Sequence, residues 1–160
     1  MQFYSTNRKT SPVSLREAVV RGLAADRGLF MPEVIRRFPP AFYQNMKEMT
    51  LREISFVVAE AFFGEDVEAG KLKEIVDETL NFDIPLVQVA DNRYSLELFH
   101  GPTLAFKDVG ARFMARLLAY FNKQEGERQV NVLVATSGDT GSAVANGFLD
   151  VPGVKVFVLY

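Results

Sequence analysis

The chain of 160 residues contains no cysteine, no tryptophan and a single histidine. Without cysteine it has no disulfide framework, no thiol nucleophile and no thiolate metal site. The single histidine, His100, cannot form a zinc site by itself, because such sites take three or four protein ligands. We therefore expect no bound metal.

Long apolar stretches and a surplus of one charge are also missing. No segment approaches the roughly 18 uncharged apolar residues of a membrane span, and the N-terminus lacks the apolar centre of a signal peptide. Eighteen basic and 20 acidic residues give a net charge of −2, whereas nucleic acids and anionic membranes are bound by basic surfaces. The sequence thus predicts a cytoplasmic globular protein with no nucleic-acid and no membrane partner.

The first 84 residues are predicted to form a mostly helical domain with short extended pieces. Ser14 and Thr50 are each followed three residues later by glutamate, which is a capping-box pattern at the start of a helix. Gly28 and Gly64 are expected to end these two helices. A third helix is predicted over Val67–Leu80. Its inward-facing residues are expected to be Leu72, Ile75, Val76 and Leu80.

Residues 85–160 have the pattern of an α/β domain. The predicted elements are strands at Leu86–Ala90 and Tyr94–Phe99, a helix at Phe106–Gln124, a strand at Val130–Ala135, a helix at Ser142–Phe148 and a strand at Val154–Tyr160. The last three form a βαβ unit, the beginning of a parallel sheet, and the apolar strand at 130–135 is expected to be covered on both faces. Because a two-stranded parallel sheet leaves open edges, we expect an incomplete domain that continues past Tyr160 and self-associates when truncated.

A lysine stands at the predicted start of a helix in an otherwise apolar segment, residues 98–111. Thr103 is expected to cap this helix, and Lys107 then lies in its first turn. The partial positive charge of a helix N-terminus and apolar surroundings both disfavour a protonated ammonium. A Schiff-base lysine needs the neutral amine. The alternative from the pattern alone is a surface lysine beside Asp108.

A second segment, residues 135–143, joins a strand to a helix through Ser, Gly and Thr residues. Backbone N–H groups at a helix N-terminus, with hydroxyls beside them, form an anion site. The alternative is a capped turn that binds nothing. The segment is neither a P-loop nor a GxGxxG fingerprint, because no lysine follows Gly141 and the glycine spacing differs.

Together, the two segments resemble the threonine synthase family, pyridoxal-phosphate enzymes of the tryptophan-synthase-β-like fold (fold type II). The resemblance rests on residues 98–108, on residues 136–141, and on a leader region formed by residues 4–6 and 22–32. Arg27 and Phe30 depart from it, since the family is expected to have Gly and Tyr there. The family is also more than twice as long as this chain.

The resemblance implies that Lys107 holds pyridoxal 5'-phosphate and then moves protons at Cα and Cβ of O-phospho-L-homoserine. Phosphate leaves, water adds, and L-threonine is released. The cofactor would also meet Asp139, although an ionised carboxylate only accepts hydrogen bonds. The substrate carboxylate would be held by the loop residues Thr136, Ser137, Gly138 and Thr140.

Three aromatic residues near Lys107 in the sequence are expected to have structural rather than catalytic roles. His100 is expected to make a structural hydrogen bond rather than to transfer protons, because Lys107 already covers the proton transfers. Phe99 and Phe106 are expected in the core.

In the family, the glycine-rich loop for the cofactor phosphate and the residue facing the pyridine nitrogen come later in the chain. The 160-residue chain is therefore expected to be inactive alone and to bind the cofactor weakly. Two alternatives remain open: another fold-type-II lyase such as a threonine or serine dehydratase, and a non-catalytic truncated fragment. A dehydratase usually lacks the leader region, which favours threonine synthase.

Overall fold

The computed structural model describes residues 1–124, 126, 129–136 and 138–159. The chain divides into two compact units, Met1–Glu78 and Thr79–Tyr160. The predicted α/β class is confirmed, whereas the predicted domain boundary between residues 84 and 85 stays a prediction. None of the helices in the described ranges has the length and apolar character needed to cross a membrane.

The first unit opens with a small antiparallel sheet. Its strands are β1 (Gln2–Ser5), β2 (Val13–Ser14) and β3 (Phe30–Pro32), in the order β2-β1-β3. Tyr4 pairs with Met31, so the two halves of the leader region, which are far apart in sequence, form neighbouring strands. The strands of this sheet correspond to the short extended pieces that the sequence predicts among the helices.

Four helices complete the first unit. They are α1 (Leu15–Arg21), α2 (Pro40–Asn45), α3 (Leu51–Phe63) and α4 (Ala69–Thr79), with a 3₁₀ turn at Met46–Glu48. The capping box at Thr50 is confirmed, and Ser14 Oγ accepts the N–H of Glu17 at 3.2 Å. The prediction that Gly28 ends α1 is wrong. The helix stops at Gly22, where φ is +71°, a left-handed conformation that glycine adopts at little cost.

Helix α4 has the apolar face that the sequence predicts. Leu72, Ile75, Val76 and Leu80 are all buried. The helix spans Ala69–Thr79, slightly less than the predicted Val67–Leu80, and Val67 is buried just before it. Burial of these side chains, worth roughly 1.5–3 kcal/mol each, is a main source of stability for the helix.

The second unit begins with a β-hairpin. Strand β4 (Leu86–Ala90) pairs antiparallel with β5 (Arg93–Leu96). The predicted turn at 91–92 is present, and Asn92 adopts φ +58°, which asparagine tolerates better than most residues. From this hairpin the chain enters the segment that carries the lysine.

The βαβ unit follows. Helix α5 (Lys107–Gln124) precedes strand β6 (Val130–Ala135), helix α6 (Asp139–Gly147) and strand β7 (Val154–Leu159). The two strands are parallel, in register from Val130 opposite Val154 to Ala135 opposite Leu159. Helix α6 begins three residues earlier than predicted, because Gly138 is extended and its carbonyl accepts the N–H of Gly141 at 3.0 Å. Asp139 and Thr140 therefore lie in the first helical turn.

The expectation that β6 is covered on both faces is wrong for the described residues. Side chains alternate along the strands, and Val134 is buried while Leu133 is 71% exposed. Phe157 pairs with Leu133 and is 47% exposed. The crossover helix α6 packs on both strands, and one helix covers one face of a two-stranded sheet. The opposite face is open and mostly apolar, with Asn131 paired with Lys155 as its polar part.

Candidate functional site

Lys107 is the first residue of α5, in the first turn as the sequence predicts. Its side chain is half-buried, and Nζ lies 4.3 Å from the centre of the Phe106 ring. Among the described residues, Lys107 Nζ has no hydrogen-bond or ion-pair partner. A primary amine is thus presented at a helix N-terminus and held against an aromatic face, with no carboxylate paired to it in the described ranges of the chain.

The prediction that Phe99 and Phe106 lie in the core is wrong in this structure. Phe106 is 59% exposed and Phe99 is 50% exposed. The chain turns sharply between β5 and α5, so both rings project from a loop. Phe106 contacts Lys107, and the Phe99 ring lies 4.8 Å from the His100 ring.

His100 makes a hydrogen bond of the structural kind expected from the sequence. Its Nε2 lies 2.7 Å from Oε2 of Glu97. This bond joins the end of the hairpin to the turn that follows and orients the imidazole towards a carboxylate. His100 is therefore part of the support of the segment, and its partner was not foreseen.

The turn before α5 is organised by Asp108, which the sequence offered only as a neighbour of the lysine. The Asp108 side chain is completely buried. Thr103 donates its backbone N–H to Oδ2 at 2.9 Å and its hydroxyl to Oδ1 at 2.6 Å. The prediction that Thr103 caps α5 is wrong, because its hydroxyl donates to Asp108 rather than accepting from the helix.

The second segment joins β6 to α6. The N–H of Gly138 donates to Thr136 Oγ1 at 3.2 Å, so the threonine side chain shapes the turn. Asp139 and Thr140 are exposed, and the first N–H groups of a helix have no acceptor within that helix. The segment therefore presents donors at a helix N-terminus, as an anion site requires. Ser137 lies outside the described residues.

Gly141 allows the helix to sit close to the strand that precedes it. A Cβ atom there would lie 3.0 Å from the Thr136 carbonyl oxygen and 3.1 Å from Thr136 Cγ2. A larger residue would require Thr136 or the start of α6 to shift by a few tenths of an ångström. Gly141 thus fixes the position of the α6 N-terminus relative to Thr136.

The two segments belong to the same unit, and the helices that follow them pack on each other. At their contact, a Cβ on Gly147 of α6 would lie 3.0–3.1 Å from the backbone and Cβ of Ala111 in α5. No hydrogen bond or ion pair joins Lys107 to residues 136 and 138–140 in the described part of the chain. The contact between α5 and α6, rather than a direct bond, sets the distance between the Lys107 amine and the first turn of α6.

Comparisons with known proteins identify the family to which the chain is similar. A family model described as the threonine synthase N terminus matches residues 2–80. Threonine synthases from Serratia marcescens and Escherichia coli (strain K12) are 41% and 39% identical over the whole of this chain. The chain covers 37% of each of these relatives, so it spans little more than a third of their length.

Two solved structures are similar over almost all of the chain. Threonine synthase from Escherichia coli matches with a TM-score of 0.90 and 39% identity, over 100% of this chain and 37% of that one. PLP-bound threonine synthase from Brucella melitensis matches with a TM-score of 0.92 and 34% identity, over 99% of this chain and 35% of that one. The family expected from the sequence is thereby confirmed: over its whole length, this chain corresponds to the N-terminal part of threonine synthases.

Proposed function

We propose that the full-length protein containing this chain is a pyridoxal-phosphate-dependent lyase of the threonine synthase type. It would convert O-phospho-L-homoserine and water to L-threonine and phosphate. The observation that supports this most strongly is the Lys107 amine at the start of α5, which has no ionic partner among the described residues, in a chain similar throughout to threonine synthases.

Lys107 fits the part of the cofactor that it would meet. Pyridoxal phosphate carries an aldehyde, which a primary amine attacks, and the half-buried amine has no ionic partner among the described residues. When bound, the cofactor withdraws electrons from the substrate and makes protons beside the reacting carbon acidic. The residues present therefore suit the carbonyl end of the cofactor.

The surroundings of Lys107 also suit proton transfer. A base that later becomes an acid must be accessible in both protonation states. Lys107 is half-buried at the N-terminus of α5, and its Nζ lies 4.3 Å from the centre of the Phe106 ring. We infer that Lys107 moves protons at Cα and Cβ of the substrate: each carbon loses a proton, phosphate leaves Cγ, Cγ gains a proton, water adds its hydroxyl at Cβ, and Cα regains its proton.

The remaining roles are assigned to the segment before α6. We infer that Thr136, Ser137, Gly138 and Thr140 hold the substrate carboxylate and that Asp139 lies against the cofactor. The exposed first turn of α6 and the close packing of Gly141 on Thr136 support an anion site there.

The test is phosphate release from O-phospho-L-homoserine by the full-length protein with added pyridoxal phosphate. The Lys107→Ala variant is measured in parallel. We expect phosphate and threonine to appear together in the unaltered protein and to vanish with the lysine. If no phosphate is released although the cofactor is attached to Lys107, the substrate assignment is wrong and a dehydratase takes its place.

We further propose that the 160-residue chain on its own is inactive, binds pyridoxal phosphate weakly and self-associates. The open face of the β6–β7 sheet carries Leu133 paired with Phe157, and Leu159 is 59% exposed beyond them. When the chain is isolated, the same face of a second copy can pack against this apolar surface. Light scattering should give a molar mass that rises with concentration, and tight saturable cofactor binding would contradict the proposal.

Two organisational features complete the proposal. The protein acts in the cytoplasm, and its domains divide near residues 84 and 85. Limited proteolysis that cuts first near this boundary would support the division, and a first cut inside α3 would contradict it.

A further inference from the structure

The completely buried carboxylate of Asp108 has no role in the function proposed above. Burying a charge is costly unless hydrogen bonds satisfy it. Here both oxygens accept from one residue, Thr103, through its backbone N–H at 2.9 Å and its hydroxyl at 2.6 Å. We call this pair of bonds the Asp108 clamp.

The residues around the Asp108 clamp leave the carboxylate little room to move. A Cβ on Gly101 would lie 2.5 Å from Asp108 Oδ2 and 3.0 Å from Phe82 Cζ. The turn is closed by the Leu104 N–H, which donates to the Gly101 carbonyl at 3.0 Å. Glycine at this position is therefore what lets the turn approach the carboxylate so closely.

The turn held by the clamp is strained. Leu104 adopts φ +58°, a left-handed conformation that is unfavourable for a bulky side chain. The Leu104 side chain is 75% exposed, so its own packing does little to offset the cost. Such conformations persist when the surrounding structure over-determines them, and the clamp spans this residue.

The two residues that form the clamp also flank Lys107 in the sequence. Thr103 precedes Lys107 by four residues and Asp108 follows it directly, so the two bonds close a short loop that contains the amine-bearing residue. The Asp108 N–H in turn donates to the Ala105 carbonyl at 3.0 Å. Both the side chain and the backbone of Asp108 thus hold the segment from which Lys107 projects.

We propose that Asp108 is a positioning residue for Lys107: by clamping Thr103 it fixes the turn before α5 and holds the amine against the Phe106 ring. The importance of this for catalysis rests on the proposed role of Lys107. The positioning itself is independent of any cofactor or substrate. It can therefore be tested in the protein before pyridoxal phosphate is added.

The experiment compares Thr103→Val with Thr103→Ser in the full-length, cofactor-free protein. Valine has nearly the shape of threonine but lacks the hydroxyl that donates to Asp108, whereas serine retains it. Two quantities are measured: hydrogen exchange of peptides covering residues 101–110, and the rate at which acetic anhydride labels Lys107. Peptides covering α3 (Leu51–Phe63) report the first unit as an internal control.

For Thr103→Val we expect exchange in residues 101–110 to be about tenfold faster, which corresponds to about 1.4 kcal/mol of local opening. Lys107 labelling should rise several-fold, whereas in Thr103→Ser it should stay close to that of the unaltered protein. A role confined to overall stability would change the α3 peptides and the urea midpoint but not Lys107 labelling at native conditions.

Equal Lys107 labelling in the valine and serine variants would overturn the proposal. So would faster exchange that extends equally to α3. Failure of the proposed function would be observed in a different measurement. The unaltered protein would then release no phosphate, whatever the Lys107 labelling shows.

Discussion

The turn before α5 offers a quantitative test of how tightly this segment is packed, through Gly101→Ala. The added Cβ would lie 2.5 Å from Asp108 Oδ2 and 3.0 Å from both Asp108 Cβ and Phe82 Cζ. Favourable contacts of carbon atoms begin near 3.5 Å. The methyl group can be accommodated only if the buried carboxylate or the turn moves.

The expected loss of folding free energy can be estimated from the groups that must move. Forcing one extra methyl group into a packed site costs about 1–3 kcal/mol, and weakening a hydrogen bond to a charged group adds about 1.5–3 kcal/mol. Replacement of glycine also lowers the conformational entropy of the unfolded chain, which stabilises the folded state by about 0.4–1 kcal/mol. We therefore expect Gly101→Ala to lower the free energy of unfolding by about 2–5 kcal/mol.

The matched control is Gly110→Ala in the interior of α5. A Cβ there meets nothing within 4 Å, so alanine should raise the free energy of unfolding by about 0.5–1 kcal/mol through its helix propensity. Urea titration followed by far-ultraviolet circular dichroism measures both variants. If Gly101→Ala came within 0.5 kcal/mol of the unaltered protein, roughly the size of an ordinary surface substitution, the packing argument would fail.

Three further predictions concern other parts of the chain. Gly147→Ala should lower the free energy of unfolding by about 1–3 kcal/mol, because its Cβ would meet Ala111 at 3.0–3.1 Å; an unchanged urea midpoint would contradict this. Thr50→Ala should cost about 1 kcal/mol through loss of the helix cap, with Thr50→Ser restoring most of it in the same titration. The hydrogen bond from Ser5 lowers the pKa of Asp26, and desolvation opposes this shift. The stabilisation is therefore complete above the ordinary aspartate pKa and is lost as the pH falls towards the lowered one. Asp26→Asn should flatten the pH dependence of unfolding in that acidic range, and an identical pH profile would refute the assignment.

Local sequence patterns predicted the features that depend on local interactions. Ser14 and Thr50 cap helices because a side-chain oxygen reaches an N–H three residues along the chain. Lys107 lies in the first turn of a helix, as the change in periodicity indicated. The family resemblance, carried by short motifs, was confirmed over the whole chain.

The features that the sequence did not predict depend on contacts in three dimensions. The Asp108 clamp reverses the direction expected of the Thr103 hydrogen bond, and only the folded turn brings the two side chains together. The exposure of Phe106 and the single covered face of β6 depend on which elements lie nearby. Periodicity identifies an apolar strand, but it does not reveal how many layers cover it.

The individual roles of Asp139 and of the neighbouring loop residues remain proposals drawn from the resemblance. The structure supplies the exposed helix N-terminus and the close contact at Gly141. Single alanine substitutions at Thr136 and Thr140 would separate the roles. Loss of a side chain that holds the substrate carboxylate should raise KM for O-phospho-L-homoserine, whereas loss of a cofactor contact should change the absorbance of the protein loaded with pyridoxal phosphate.

The proposed attachment of the cofactor to Lys107 can be measured by reductive trapping. The full-length protein is incubated with pyridoxal phosphate, reduced with borohydride, digested and examined by peptide mass spectrometry. We expect a single phosphopyridoxyl group on Lys107, which is lost in Lys107→Ala. A stable modification at another lysine, undiminished in that variant, would contradict it.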